Sequence, residues 1–126
     1  MFSGRAFQPR IGNSHRSDEW KRCEPFLKWE RGRPCFISLR DPAHKCFGKV
    51  RACHFDPWGD KGMGTKVSDN ACLPMCDGAH GHQHNIGWPA FQKRYDFDGR
   101  DVVTRYWLEW LNNTPMGATW KAKQDG

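Results

Sequence analysis

The sequence predicts one small α+β domain organised around metal-binding cysteines and histidines. Short apolar pieces between residues 35 and 57 are typical of irregular strands, and apolar residues near the C-terminus recur at helical spacing. Residues 72–87, CLPMCDGAHGHQHNIG, crowd cysteine and histidine together. A chain of 126 residues suits one domain rather than two. We therefore expect a small α+β domain with a hairpin, a histidine-bearing helix and flanking N- and C-terminal helices.

The beginning and end of the chain predict segments outside this domain. Residues 1–16 mix Gly, Arg, Ser and Asn without periodicity and predict a flexible basic arm. Residues 17–113 form the predicted domain, and residues 114–126 a loose polar tail. Within the domain, Ser17 is a candidate N-cap and Pro25 sets the first turn of a short helix.

The middle of the chain predicts strands followed by a helix. Residues 35–57 suggest an irregular hairpin that turns at Asp41-Pro42, with its second strand at about residues 49–55. Residues 58–70 contain three glycines and predict a loop. A helix from about Asp77 would place two histidines, four residues apart, on one face.

The last predicted helix begins after Asp98, a plausible cap. Its apolar stripe is expected to belong to the core and comprises Val102, Val103, Tyr106, Trp107, Trp110 and Leu111.

Charge and hydropathy limit the partners. The net charge of +6 and the pI of about 9.2 suit a partner that carries phosphates. The sequence has no run of about 18 apolar residues and no signal-peptide core. We therefore expect a cytoplasmic protein that does not enter a membrane.

Six cysteines allow either three disulfides or a metal site. The histidines favour a metal, because imidazole binds metals and plays no part in disulfides. Cys35 and Cys46 precede the predicted strand and Cys76 precedes the histidine helix, which suggests structural zinc. Ala79 stands where a helix-borne fourth ligand is expected, so Cys72 or Cys53 completes the site, or the site has been lost. His15 and His44 are predicted to be surface residues.

A second group of candidate ligands consists of histidines. His80 and His84 can hold a divalent cation, Mg, Mn or Zn, and His54 lies at the end of the predicted strand. The glutamate of the HExxH motif of zinc proteases is absent, which disfavours peptide hydrolysis by that mechanism. A histidine beside such an ion can deprotonate water.

These motifs resemble the HNH nucleases, which have a ββα-metal fold, and especially the branch of phage recombination-enhancement nucleases. The similar features are a Cys-rich start, a histidine at a strand end, the loop GMGTKVSD, Pro-x-Cys, His-x-x-x-His and a closing glycine. In this sequence they are Cys35 and Cys46, His54, residues 62–69, Pro74 to Cys76, His80 to His84, and Gly87.

The resemblance implies a small treble-clef-like ββα-metal module with flanking helices, and a metal-dependent endonuclease that hydrolyses DNA phosphodiester bonds. It makes His54 the general base, His80 and His84 the metal ligands, and Asn70 or Asp69 the residue that orients the base or fixes the loop.

DNA contacts are expected from Lys61, Lys66, Lys49 and Arg51. Cys53 occupies the place of a third ligand, so that either the ion is soft, or Asp56 or water completes the shell. The implied setting is the cytoplasm of a bacterial host, with DNA and a phage or host recombination or replication protein as partners. The alternative is a non-catalytic, zinc-stabilised nucleic-acid-binding module.

Overall fold

The computed structural model describes residues 22–58 and 68–125. Helices and strands follow one another as α1 (Glu24–Arg31), α2 (Phe36–Arg40), β1 (Val50–His54), a 3-10 turn (Asp56–Trp58), β2 (Cys72–Cys76), α3 (Asp77–Tyr95), α4 (Gly99–Asn113) and α5 (Pro115–Asp125). The mixed helix and sheet content confirms the α+β class. The two strands and the helix that follow one another are β1, β2 and α3, whereas both predicted strands lay within residues 35–57.

The sheet consists of two antiparallel strands that are distant in sequence. Val50 pairs with Cys76 at one end, and His54 pairs with Cys72 at the other. The second strand predicted at about residues 49–55 is confirmed as β1. Its predicted partner within residues 35–57 is wrong, because residues 36–40 form α2 and β1 pairs with β2. A short apolar run such as FISLR fits a strand or a buried helical turn equally well, and only its packing decides.

Both faces of the sheet are covered by helices. Cys53, Leu73 and Met75 belong to a buried cluster with residues of α3 and α4, including Phe91 and Val103. On the other face, Cys72 packs with Cys23, with Phe26 of α1 and with Trp110 of α4. β2 consists only of apolar residues because the strand is buried on both faces.

The helix signals at α1 and α4 are confirmed. Pro25 lies in the first turn of α1, and Gly32 follows its last residue. At α4, the side chain of Asp98 accepts a hydrogen bond from the Arg100 N–H at 3.0 Å. The predicted core positions Val102, Val103 and Trp110 are buried, while Tyr106, Trp107 and Leu111 are partly buried against the same clusters.

The predicted loose tail is wrong for residues 115–125, which form α5. The Thr114 hydroxyl accepts from the Gly117 N–H at 2.9 Å, as a capping residue does, and Pro115 is suited to the first helical position. Trp120 then packs on Trp110 with ring centroids 6.4 Å apart. The cap and this aromatic contact are part of the packing that holds α5 against α4, although the segment lacks an apolar stripe.

Some predictions concern residues beyond those described. The arm at residues 1–16, His15, Ser17, Lys61 and Lys66 lie outside the described residues, as does most of the loop at residues 58–70. Within the described part of the chain, none of the helices combines the length and the apolar character needed to cross a bilayer.

Candidate metal centre and histidine sites

Four potential metal ligands converge where α2, β1 and α3 meet. They are Cys35, His44, Cys46 and Cys76, whose ligand atoms all lie within 4.8 Å of one another. Cys35 precedes α2, His44 and Cys46 lie in the connection to β1, and Cys76 ends β2 and caps α3. Cys35 and Cys76 are buried, His44 is half-buried, and Cys46 is exposed.

Hydrogen bonds hold this cluster in place. The Cys76 N–H donates to Cys35 Sγ at 3.3 Å, and the Ala79 N–H donates to Cys76 Sγ at 3.3 Å. His44 Nε2 lies 3.4 Å from Cys76 Sγ. Burial of the Cys76 thiol opposes ionisation, but hydrogen bonds from Ala79, Phe47 and His44 lower its pKa to about 6. The thiolate that metals require is therefore favoured at this position.

The donor set fits zinc. Three sulfurs and one imidazole are a common structural zinc set, and Zn–S bonds of about 2.3 Å at tetrahedral angles place sulfurs about 3.8 Å apart. The separations in the cluster are compatible with that geometry. All six cysteines are free thiols, so none of the four ligands is consumed by a disulfide. Among residues 22–58 and 68–125 this is the only group of three or more such ligands.

His44 is the candidate ligand that the sequence did not predict, because a surface position was expected for it. The signal for His44 in the sequence was its position two residues before Cys46. The fold then brings it close to two other sulfurs. Ala79 donates its backbone N–H to Cys76 Sγ, and His44 supplies the fourth donor that was expected at position 79.

Cys53 and Cys72, the alternatives for the fourth ligand, do not join the cluster. Both are buried, and burial raises the pKa of Cys53 to about 12 and raises that of Cys72 as well. Their thiols are held protonated in the core, where they pack as small apolar groups.

A second polar group lies at the far end of β1. His54 Nε2 is 3.0 Å from Asp69 Oδ1, and Asp69 Oδ2 accepts from the Cys23 N–H at 2.7 Å. Burial opposes ionisation of Asp69, but the bonds from His54 and Cys23 outweigh it and hold the pKa of the carboxyl below its usual value. The His54 side chain is 40% exposed and that of Asp69 is 14% exposed. A fixed carboxylate therefore orients an accessible imidazole.

The third group lies on α3, where His80 and His84 occupy one face as predicted. Their Nε2 atoms are 3.0 Å apart, and their ring centroids are 4.6 Å apart. The pKa of His80 is lowered by burial and then by the charge of His84, while Asp77 and Asp56 act in the opposite sense. Neutral imidazole, the form that binds metal, is favoured there.

In the described residues, the group of His54 and Asp69 and the pair of His80 and His84 do not form one cluster of ligands. No third ligand atom joins the pair His80 and His84 among the residues that the structure describes. Asp56, two residues after His54, is near enough for its charge to act on His80. Cys53 packs in the core and is not beside the pair.

The remaining predicted site residues are at the surface. Asn70 and Lys49 are exposed. Arg51 is also exposed and forms an ion pair with Asp77, with Nε 2.6 Å from Oδ1. Asn70 makes none of the contacts that Asp69 makes with His54, so of the two candidates Asp69 is the one that touches the imidazole.

The fold and the four-ligand cluster together define a small α+β domain with a candidate Cys3His metal centre. Comparisons with protein families, with curated proteins and with solved structures found no significant match for the chain.

Proposed function

We propose that this protein is a metal-dependent endonuclease that hydrolyses DNA phosphodiester bonds, with structural zinc at Cys35, His44, Cys46 and Cys76. The pairing of His54 with Asp69 is the observation that carries the proposal. An accessible imidazole held by a partly buried carboxylate is the arrangement of a general base with its orienting group.

His54 would act through the nitrogen that does not face Asp69. With Asp69 ionised, Nε2 carries the proton that the carboxylate accepts, and Nδ1 keeps a free lone pair. Nδ1 takes a proton from water while the water oxygen bonds to phosphorus. The bond between phosphorus and the leaving oxygen then breaks, and Asp69 stabilises the imidazolium that forms.

His80 and His84 are suited to hold the ion. Their Nε2 atoms are 3.0 Å apart, so that both nitrogens could bind the same divalent ion. A divalent cation bound there supplies positive charge to the phosphate and the leaving oxygen. Because Cys53 lies in the core, the remaining donors are nitrogen and oxygen, and these suit Mg and Mn as well as zinc. Asp56 or water would complete the shell.

The proposal is tested by nicking of supercoiled plasmid DNA in the presence of Mg or Mn. His54→Ala should lower the rate by about 100-fold or more, the usual contribution of a general base. Asp69→Asn should also lower it, because both oxygens of Asp69 accept hydrogen bonds, one at His54 and one from Cys23, and an amide has only one accepting oxygen. His82→Gln serves as the matched control, because His82 contacts Tyr95 rather than either histidine group.

Two results would refute the proposed nuclease activity. One is wild-type protein that never nicks DNA with any of these ions, and the other is His54→Ala protein that nicks as fast as wild type. Zinc content and circular dichroism of each variant show whether the fold is intact.

A second candidate is a zinc-stabilised nucleic-acid-binding module without catalysis. It is favoured by the separation between the Cys3His cluster and the histidine groups, since a metal in the cluster would support the fold without either group. Brief EDTA treatment separates the two candidates. The nuclease loses cutting, keeps its fold and regains cutting with Mn, whereas the binding module shows no cutting at any stage and binds nucleic acid until its fold is lost.

A further inference from the structure

Phe47 is a large aromatic side chain at the surface of the Cys3His cluster. It is 75% exposed, more than the other large apolar side chains that are exposed in the described residues. It directly follows Cys46, a ligand of the candidate zinc site. A single exposed apolar residue needs no explanation by itself. Phe47 differs from other exposed apolar residues in the hydrogen bonds that fix its backbone and in the lysines on either side of it in the chain.

Several hydrogen bonds hold the backbone at Phe47 to the start of α3. The Phe47 N–H donates to Cys76 Sγ, and its carbonyl accepts from the Gly78 N–H at 3.0 Å. Next to it, the Lys49 carbonyl accepts from the Asp77 N–H at 2.9 Å, and the Lys49 N–H donates to Asp77 Oδ2 at 3.0 Å. The ring is therefore presented by a fixed turn, and little backbone entropy is lost when something binds to it.

Two lysines flank Phe47 in the sequence. Lys45 and Lys49 are exposed, and neither forms an ion pair with a carboxylate in residues 22–58 or 68–125. Arg51 lies further along β1, and its charge acts on His80. Lys49 and Arg51 both contact Asp77, the first residue of the helix that carries His80.

We propose that Phe47 stacks on a base of single-stranded DNA while Lys45 and Lys49 contact the flanking phosphates. An aromatic face between cations matches the alternation of base and phosphate along a single strand. In a duplex the base faces are covered by their neighbours, so duplex DNA offers Phe47 no such partner. The inference rests on the proposed nucleic-acid substrate and adds a preference for unpaired DNA to it.

The test is fluorescence anisotropy of a labelled 20-nucleotide poly-dT and of a labelled duplex of equal length, with zinc-loaded protein and without Mg or Mn. Phe47→Ala should weaken binding of the single strand by at least about fivefold, the lower end for one stacked base. Phe47→Leu should weaken it similarly, because leucine is apolar but has no π-face. Phe47→Tyr should bind like wild type. Lys49→Ala should reduce the slope of log K against log salt by about 0.7.

Leu39→Ala is the matched control, since Leu39 is a second exposed apolar residue, at 64%, on a different element. It should leave the affinity unchanged. The inference is overturned if Phe47→Ala or Phe47→Leu binds poly-dT within twofold of wild type while zinc content is kept, or if Leu39→Ala weakens binding as much. It is also overturned if wild type binds the duplex as tightly as the single strand.

These outcomes are independent of cutting. Phe47-dependent binding by a protein that never nicks plasmid would keep this inference and refute the nuclease. Nicking that depends on His54, combined with binding that does not depend on Phe47, would do the reverse.

Discussion

Replacing His44 by alanine tests whether it completes a zinc site. Structural zinc bound by four side chains contributes about 10–16 kcal/mol of apparent binding free energy at neutral pH, so an equal share for one ligand is about 3 kcal/mol. For a chain of this size, 1 kcal/mol corresponds to about 4 °C in Tm, and His44→Ala should therefore unfold about 12 °C below wild type. The effect is large because Cys35 and Cys76 are buried, and their thiolates would lose the charge that compensates them.

The assay combines thermal unfolding followed by circular dichroism with zinc analysis of the purified protein. His84→Ala is the control, because it removes an exposed imidazole from α3 without touching the cluster. It should keep the Tm of wild type. If His44→Ala retains both the zinc content and the Tm of wild type, the assignment of His44 as a ligand is refuted.

Two further predictions concern Glu30 and Gly48. Glu30 is fully buried with no hydrogen-bond partner for its carboxylate among the described residues, and burial raises its pKa well above 4.5. Folding therefore takes up a proton above pH 4.5, and stability should fall by about 1.4 kcal/mol per pH unit until the raised pKa of the folded state is passed. Urea unfolding at pH 5.5, 6.5 and 7.5 should show that Glu30→Gln lacks this part of the slope, and equal slopes would contradict it. Gly48 has φ of +78°, and a Cβ there would overlap the Asp77 side chain, so Gly48→Ala should cost about 1–2 kcal/mol or more. Gly81→Ala, with open space around its Cβ, should instead stabilise by up to about 1 kcal/mol, and a Gly48→Ala protein as heat-stable as wild type would rule out the argument.

The local elements were largely predictable from residue patterns. Pro25 and Asp98 mark helix starts, and the i, i+4 spacing of His80 and His84 was enough to place them together. The errors arose at segments whose structure depends on contacts. The short apolar run at residues 36–40 predicts a strand but forms a helix, and α5 is held by the Thr114 cap and by the contact of Trp120 with Trp110.

The candidate metal site was also predicted only in part from the sequence. Cys35, Cys46 and Cys76 were recognised from their residue type and their order in the chain. The fourth ligand could not be identified, because Cys53, Cys72 and His44 are all close to these residues in sequence. The structure places Cys53 and Cys72 in the core and turns His44 toward Cys76.

The sequence alone therefore determined the class of the domain, the positions of its main helices and of β1, and the presence of chemistry that suits metals. These features depend on interactions within a few residues, such as capping and periodicity. The tertiary structure alone decided which strand pairs with β1, which four side chains meet, and that Asp69 holds His54. These features depend on contacts between residues far apart in the chain, and local sequence patterns do not give the distances between such residues.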